Sequence, residues 1–185
     1  MNLHRTLSAL TLAWLCAAPV ATAAAATQDF ALGDHGVLVL EVPDGWRASW
    51  QAVADGPPTL QLLPAAGPAF EVTVSVLWPA PGATLPDEAM LRAEVGQAAE
   101  SAAPQSVERT LKVEPLPGTT GTGFYFTATD RAPAPGEYRH LAQGMVRTGG
   151  VVLAFTILTH DGGEAIEHGA LALLAGAVHR PKGAT

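Results

Sequence analysis

The chain has 185 residues, 48 % of them hydrophobic, with 10 Lys and Arg set against 17 Asp and Glu for a formal net charge of −7. That length suits one domain with a sizeable core. The acidic balance and the lack of any basic cluster disfavour binding to a phosphate backbone, so no nucleic-acid partner is expected.

Residues 1–26 read as a secretory signal peptide. Residues 1–6 carry a positive charge at Arg5 and no acid. Residues 7–18 are apolar or small apart from Ser8 and Thr11, and the small-residue triplets 21–23 and 24–26 follow. Both triplets fit the small-x-small cleavage rule, which puts cleavage after Ala23 or Ala26. The apolar run is shorter than the ~20 residues a membrane helix needs. The expected product is a single exported domain, residues 27–185. It has no transmembrane segment and is placed in the periplasm or secreted. Cys16 is the only cysteine and lies inside the signal. A lipoprotein would need a small residue before it, and Leu15 stands there. The mature chain then has no thiol, which excludes disulfides, thiolate catalysis and cysteine-bound metal. Nine Lys and Arg remain against 17 acids, a net charge of −8.

Taken in chain order, residues 30–32 form a short apolar strand, and Gly33-Asp34-His35-Gly36 is turn chemistry. A second strand over 37–42 ends at Pro43-Asp44-Gly45-Trp46. Segments 47–53 and 59–63 are expected to pair across 54–58. In 70–78, Val72, Val74 and Val76 alternate with Glu71, Thr73 and Ser75, the period of a half-buried strand. A helix follows, with Thr84 as its expected cap and Pro86 and Asp87 near its start. Leu91, Val95, Ala98 and Ala102 make its buried stripe, and Glu88 and Arg92 an i,i+4 pair on its wet side. Gly96 weakens it, and Pro104 lies beyond its end.

Strands are expected over 107–113 and 124–129, then a Pro-rich loop over 130–136. The strongest local signal is Gly149-Gly150 between 138–148 and 151–159, a two-residue hairpin loop. It sets 148 against 151, 146 against 153, 144 against 155 and 142 against 157. The face with Ala142, Gly144, Val146, Leu153, Phe155 and Ile157 is expected beneath a helix. The opposite face is expected to be partly open. A second helix spans about 163–178, with Ile166, Ala170, Leu173, Leu174 and Ala177 on one side. Strands, helix, strands, helix make an α+β fold with a mainly antiparallel sheet. The regular alternation of a nucleotide-binding α/β fold is missing.

This element order, with the corner Pro43-Asp44-Gly45-Trp46 after the strand 37–42, resembles the Mog1/PsbP-like domains. The resemblance covers most of residues 30–180. It implies a single antiparallel sheet sandwiched by helices and used as a binding scaffold rather than an enzyme. Relatives of that kind serve partners as different as a small GTPase, a photosystem and secretion effectors. None of those partners transfers, because a fold does not fix a function. No functional residue of the family can be matched here.

Three constellations carry candidate chemistry. His160, Asp161, Glu164 and His168 supply imidazole and carboxylate ligands suited to zinc or copper, and would serve a metal-assisted hydrolase. The competing reading has Asp161 capping the helix, Glu164 facing its dipole and His168 in solvent; with no His-Glu-x-x-His spacing, it is preferred. Trp46, Trp50 and Trp78 could stack on sugars in a carbohydrate-binding module, or plug a corner of the core. Arg139, Gln143, Arg147 and His160 lie on the open hairpin face and form the candidate partner surface. There is no Gly-x-Ser-x-Gly elbow, and Asp87-Glu88 is explained by the helix dipole. The loop 118–123 lacks the Walker lysine. No cofactor, catalytic residue or metal is assigned. The expected function is a non-catalytic accessory domain acting through an envelope protein.

Overall fold

A computed structural model describes residues 25–52, 56–118 and 121–183. The expected signal peptide therefore lies almost wholly outside the described residues. Two sheets form, and every strand pair is antiparallel. The small sheet has the order β1-β2-β10, from Ala25–Ala31, Val37–Pro43 and Val178–Arg180. The large one has seven strands: β3 (Trp46–Gln51), β4 (Thr59–Pro64), β5 (Phe70–Leu77), β9 (Val151–Thr159), β8 (His140–Thr148), β7 (Thr122–Thr129) and β6 (Glu114–Pro117), in that order. Helix α1 (Glu88–Ala102) belongs to the crossover that follows β5, and α2 (Glu164–Ala175) follows β9.

Alternation builds two unlike faces on the large sheet. Val72, Val74 and Val76 of β5 and Leu153, Phe155 and Ile157 of β9 are at most 2 % exposed. They join Leu38, Leu40 and Val42 of the small sheet and Ala170, Leu173 and Leu174 of α2 in one core. The other face carries a second cluster, in which Leu91, Val95 and Ala99 of α1 pack on Phe124, Phe126 and Ala128 of β7 and Val152 of β9. So the sheet is sandwiched, with α1 on one side and α2 plus a small sheet on the other.

The hairpin has the register that its glycine pair dictates: Thr148 opposite Val151, Val146 opposite Leu153, Gly144 opposite Phe155 and Ala142 opposite Ile157. Gly144 is fixed by close approach. A Cβ there would lie 2.2 Å from the Phe124 carbonyl oxygen, 2.6 Å from Tyr125 Cβ and 2.8 Å from Phe155 Cζ. The Phe155 ring occupies the space a side chain at 144 would need.

Several boundaries differ from the sequence expectation. Residues 107–113 form no strand; Val107 is 53 % exposed, and the pairing strand is Glu114–Pro117. The reason is that Ser106 bridges Asp130 while its hydroxyl donates to the Ala103 and Glu108 carbonyls, which turns the chain. The cap of α1 is Asp87, whose carboxylate accepts from the Met90 amide at 2.8 Å, and not Thr84. Arg92, expected beside Glu88, sets its guanidinium 5.2 Å from the Phe124 ring centre. The buried α1 positions run at steps of four, with Ala99 in the place expected of Ala98. Helix α2 ends at Ala175, because residues 178–180 pair with β2. Segments β3 and β4 pair as expected, from Trp46 opposite Pro64 to Gln51 opposite Thr59; Val53 lies outside the described residues.

Candidate binding groove

The crossover lays α1 over β7 and β8 and leaves the β3–β5 half of that face uncovered. Three cross-strand rows result. One runs Gln51, Thr59, Ser75, Ala154, Met145; the next Ser49, Gln61, Thr73, Thr156, Gln143; the third is broken after Leu62, with Arg47 opposite Leu63 on one side and Glu71, Leu158, Leu141 on the other. Gln61 donates to the Glu71 carboxylate at 2.9 Å and Thr73 donates to it at 3.2 Å. These side chains are half-buried or exposed, in contrast to the sealed valines behind them.

Where this face meets α1, a groove opens along the helix. A cavity of about 160 Å³ lies between Glu94, Val95 and Ala98 of the helix and Thr73, Gln143 and Thr156 of the sheet. Ala98 and Ala102, expected in the core, are half-buried here, and as small residues they leave the wall open. A second cavity of about 190 Å³ lies on the same face at the end of the helix, over Ala128, Leu141 and Leu158, and is rimmed by Gln105, Asp130, Tyr138 and Arg139. The Tyr138 ring rests against His160, with centres 4.8 Å apart. Burial, and then the nearby Glu71 charge, push the Tyr138 hydroxyl above its usual range. The groove thus combines an apolar floor with hydroxyl and amide groups, the chemistry of a binding site for polar chain segments.

The sequence-predicted partner residues divide along this face. Gln143 lies in the floor of the groove, and Arg139 and His160 lie at its Tyr138 end. Arg147 sits at the far end of β8, eight residues or about 27 Å from Arg139 by the strand rise. Tyr138 and His140 were missed, since neither belongs to any spacing motif. Both are placed by the turn between β9 and α2. There the Asp161 carboxylate accepts from His140 Nε2 at 2.8 Å and lies 3.7 Å from Arg139 Nε. The His140 hydrogen bond, with Arg139 beside it, lowers the Asp161 carboxyl below its usual range.

The candidate metal residues are drawn to separate partners. Asp161 does not cap α2, whose N-cap is Gly163 without a side-chain bond. His160 faces Tyr138, and His168 Nδ1 donates to the Glu164 carbonyl at 2.9 Å. Among the described residues, no three His, Cys, Asp or Glu side chains converge as a metal site. The tryptophans face the core. Trp46 packs on Phe70 at 4.5 Å and Trp50 on Phe30 at 5.6 Å, both on the inner side of β3. Trp78 stacks on His35 at 4.0 Å. Among the described residues, no helix is long and apolar enough to cross a membrane.

No protein-family model matches the sequence, and no curated protein is similar to it in sequence. Solved structures are similar in fold. The solution structure of cyanobacterial PsbP (CyanoP) from Synechocystis sp. PCC 6803 matches with a TM-score of 0.53 and 12 % identity over 90 % of this chain and 99 % of that one. A crystal structure from Bacteroides thetaiotaomicron matches with a TM-score of 0.50 and 13 % identity, over 79 % of this chain and 46 % of that one. The chain therefore spans about half the length of the Bacteroides protein. At these identities the likeness speaks for architecture alone, and it agrees with the element order: the chain has a PsbP-like α+β fold.

Proposed function

We propose that this protein is an exported, non-catalytic binding domain that engages a protein partner of the cell envelope through the groove beside α1. One observation carries the reading: the outer face of the large sheet is only half covered. Thr73, Gln143 and Thr156 stand open beside an apolar floor of Leu141 and Leu158. Such a trough offers hydrogen bonds to a partner's main chain and a seat for an apolar side chain. Arg139 at its lip, beside Asp130 and Asp161, offers an exposed guanidinium that can orient an approaching partner.

Co-purification from the native envelope tests this. Thr73→Arg should block the trough and Arg139→Glu should reverse its lip, so both should lose the partner. Arg180→Glu, on the small sheet, should keep it. Retention of the same partner by Thr73→Arg would exclude the groove. Export has its own measurement. The mass of the protein made in a Gram-negative host should lack residues 1–23 or 1–26. Cleavage after Ala23 keeps all of β1, whereas cleavage after Ala26 removes the pairs Ala25–Pro43 and Ala26–Val42. An intact cytoplasmic chain would remove the envelope from the proposal.

A further inference from the structure

The C-terminal strand β10 is three residues long and pairs with β2 through Val178–Val39, His179–Leu38 and Arg180–Val37. So short a strand contributes little ladder of its own. It is held by two loops that approach it closely. One carries residue 36, where a Cβ would lie 2.1 Å from the Arg180 carbonyl oxygen; the backbone there, at φ 98°, also requires glycine. The other is the β8–β9 turn, where a Cβ on Gly149 would lie 3.0 Å from His179 Nδ1.

His179 joins the two loops. Its Nδ1 lies 3.0 Å from the Gly150 amide nitrogen, and its Nε2 lies 2.7 Å from the His35 carbonyl oxygen. An amide N–H can only donate, so Nδ1 accepts and bears no proton. A carbonyl can only accept, so Nε2 carries the proton. Both bonds exist together in one form alone, the neutral ring protonated at Nε2. A protonated imidazole would point an N–H at the N–H of Gly150.

We propose that His179 is an acid-released latch for the C-terminal strand. Because the closed form excludes a proton at Nδ1, the open form binds protons more readily, and falling pH shifts the balance toward opening. Among the described residues, no carboxylate is hydrogen-bonded or ion-paired to the ring. Val37, Leu38 and Val39 of β2 and the turn glycines are uncharged. On the short helical turn Gly33–His35, Asp34 is engaged by Lys182, and His35 stacks on Trp78. Release uncovers the main-chain edge of β2 beside the buried Leu38, an edge open to pairing with another strand.

The test uses the full chain and two measurements. Imidazole nitrogen chemical shifts at about pH 7.5 should show His179 protonated at Nε2; an Nδ1-protonated ring overturns the proposal. Amide hydrogen exchange, corrected for intrinsic rates, should show the protection of Gly150 and β10 falling about tenfold at pH 5.5, the order expected for one lost hydrogen bond. In His179→Gln, whose amide offers an acceptor and a donor but does not titrate, that fall should vanish. His35→Phe keeps the carbonyl and the stack, so the fall should persist. Unchanged wild-type protection, the same fall in His179→Gln, or its loss in His35→Phe would each overturn the latch.

Discussion

The two faces of the large sheet are written in the same strands and have opposite fates. On β5, Val72, Val74 and Val76 are fully sealed, while Thr73 and Ser75 between them line a groove. On β9, Phe155 and Ile157 are core, while Thr156 stands open. The inner face is closed by two elements, α2 and the small sheet, whereas the outer face has α1 and the irregular segment around Leu111. A seven-stranded sheet is wider than one helix. The uncovered part is therefore largely polar, and that strip beside a helix edge is the seat proposed for a partner. Stability should reside on the inner face and binding on the outer one.

The sharpest way to break this contrast is to truncate neighbours on one strand. Phe155→Ala should cost about 3–5 kcal/mol in urea unfolding, as for large aromatics removed from a core. Thr156→Ala, one residue on, should stay within about 0.5 kcal/mol. Equal costs would show that the outer face is core as well. Gly144→Leu comes next. Its side chain would meet the Phe155 ring and the Phe124 carbonyl, and overpacking of this kind costs about 3 kcal/mol.

The partial cover can be probed through its cap. Asp87→Ala should cost about 1 kcal/mol by freeing the Met90 amide, and Thr84→Ala should change stability by less than about 0.5 kcal/mol. The reverse order would restore Thr84 as the cap. The smallest expected effect concerns Glu167 on α2. Burial, and then the like charge of Glu164, raise its carboxyl above the ordinary 4.5, against His168 and His140. A raised folded value means that the acid disfavours the fold once ionised. The stabilising contribution of its protonated form is complete below about pH 4.5 and is lost as pH rises through the folded value. Glu167→Gln should therefore raise the melting temperature slightly at pH 7 and leave it unchanged near pH 3.5. A gain that persists at pH 3.5 would mean that charge is not the cause.

The elements that could be read without tertiary information are those set by short periods. The alternation 71–76 and the glycine pair 149–150 fix strand, face and register, because the pleat repeats every two residues and a two-residue loop allows one pairing. The helical stripe of Leu91 and Val95 is equally local. Misreadings arose where a distant partner decides. Residues 107–113 look extended, yet Ser106 turns them by bridging Asp130. The helical pattern predicts a helix to about residue 178, yet β2 offers residues 178–180 an edge.

The candidate site shows the same division. Alternation alone placed Gln143 and Arg147 on one open face of β8, and the hairpin brought Arg139 and His160 to its end. It could not say that Arg147 stands apart from the groove, because that depends on where the α1 crossover lies. Nor could it find Tyr138 closing the groove or His140 holding Asp161, contacts made across 22 and 21 residues of chain. The sequence by itself determined the α+β class, the hairpin and the two chemical faces of the sheet, since each follows from interactions between near neighbours. Only the tertiary structure decided what covers the sealed face, which strip of the other remains a groove and which histidines are tied to which loops, because those depend on how helices and a short terminal strand are laid over a sheet too wide for them to cover.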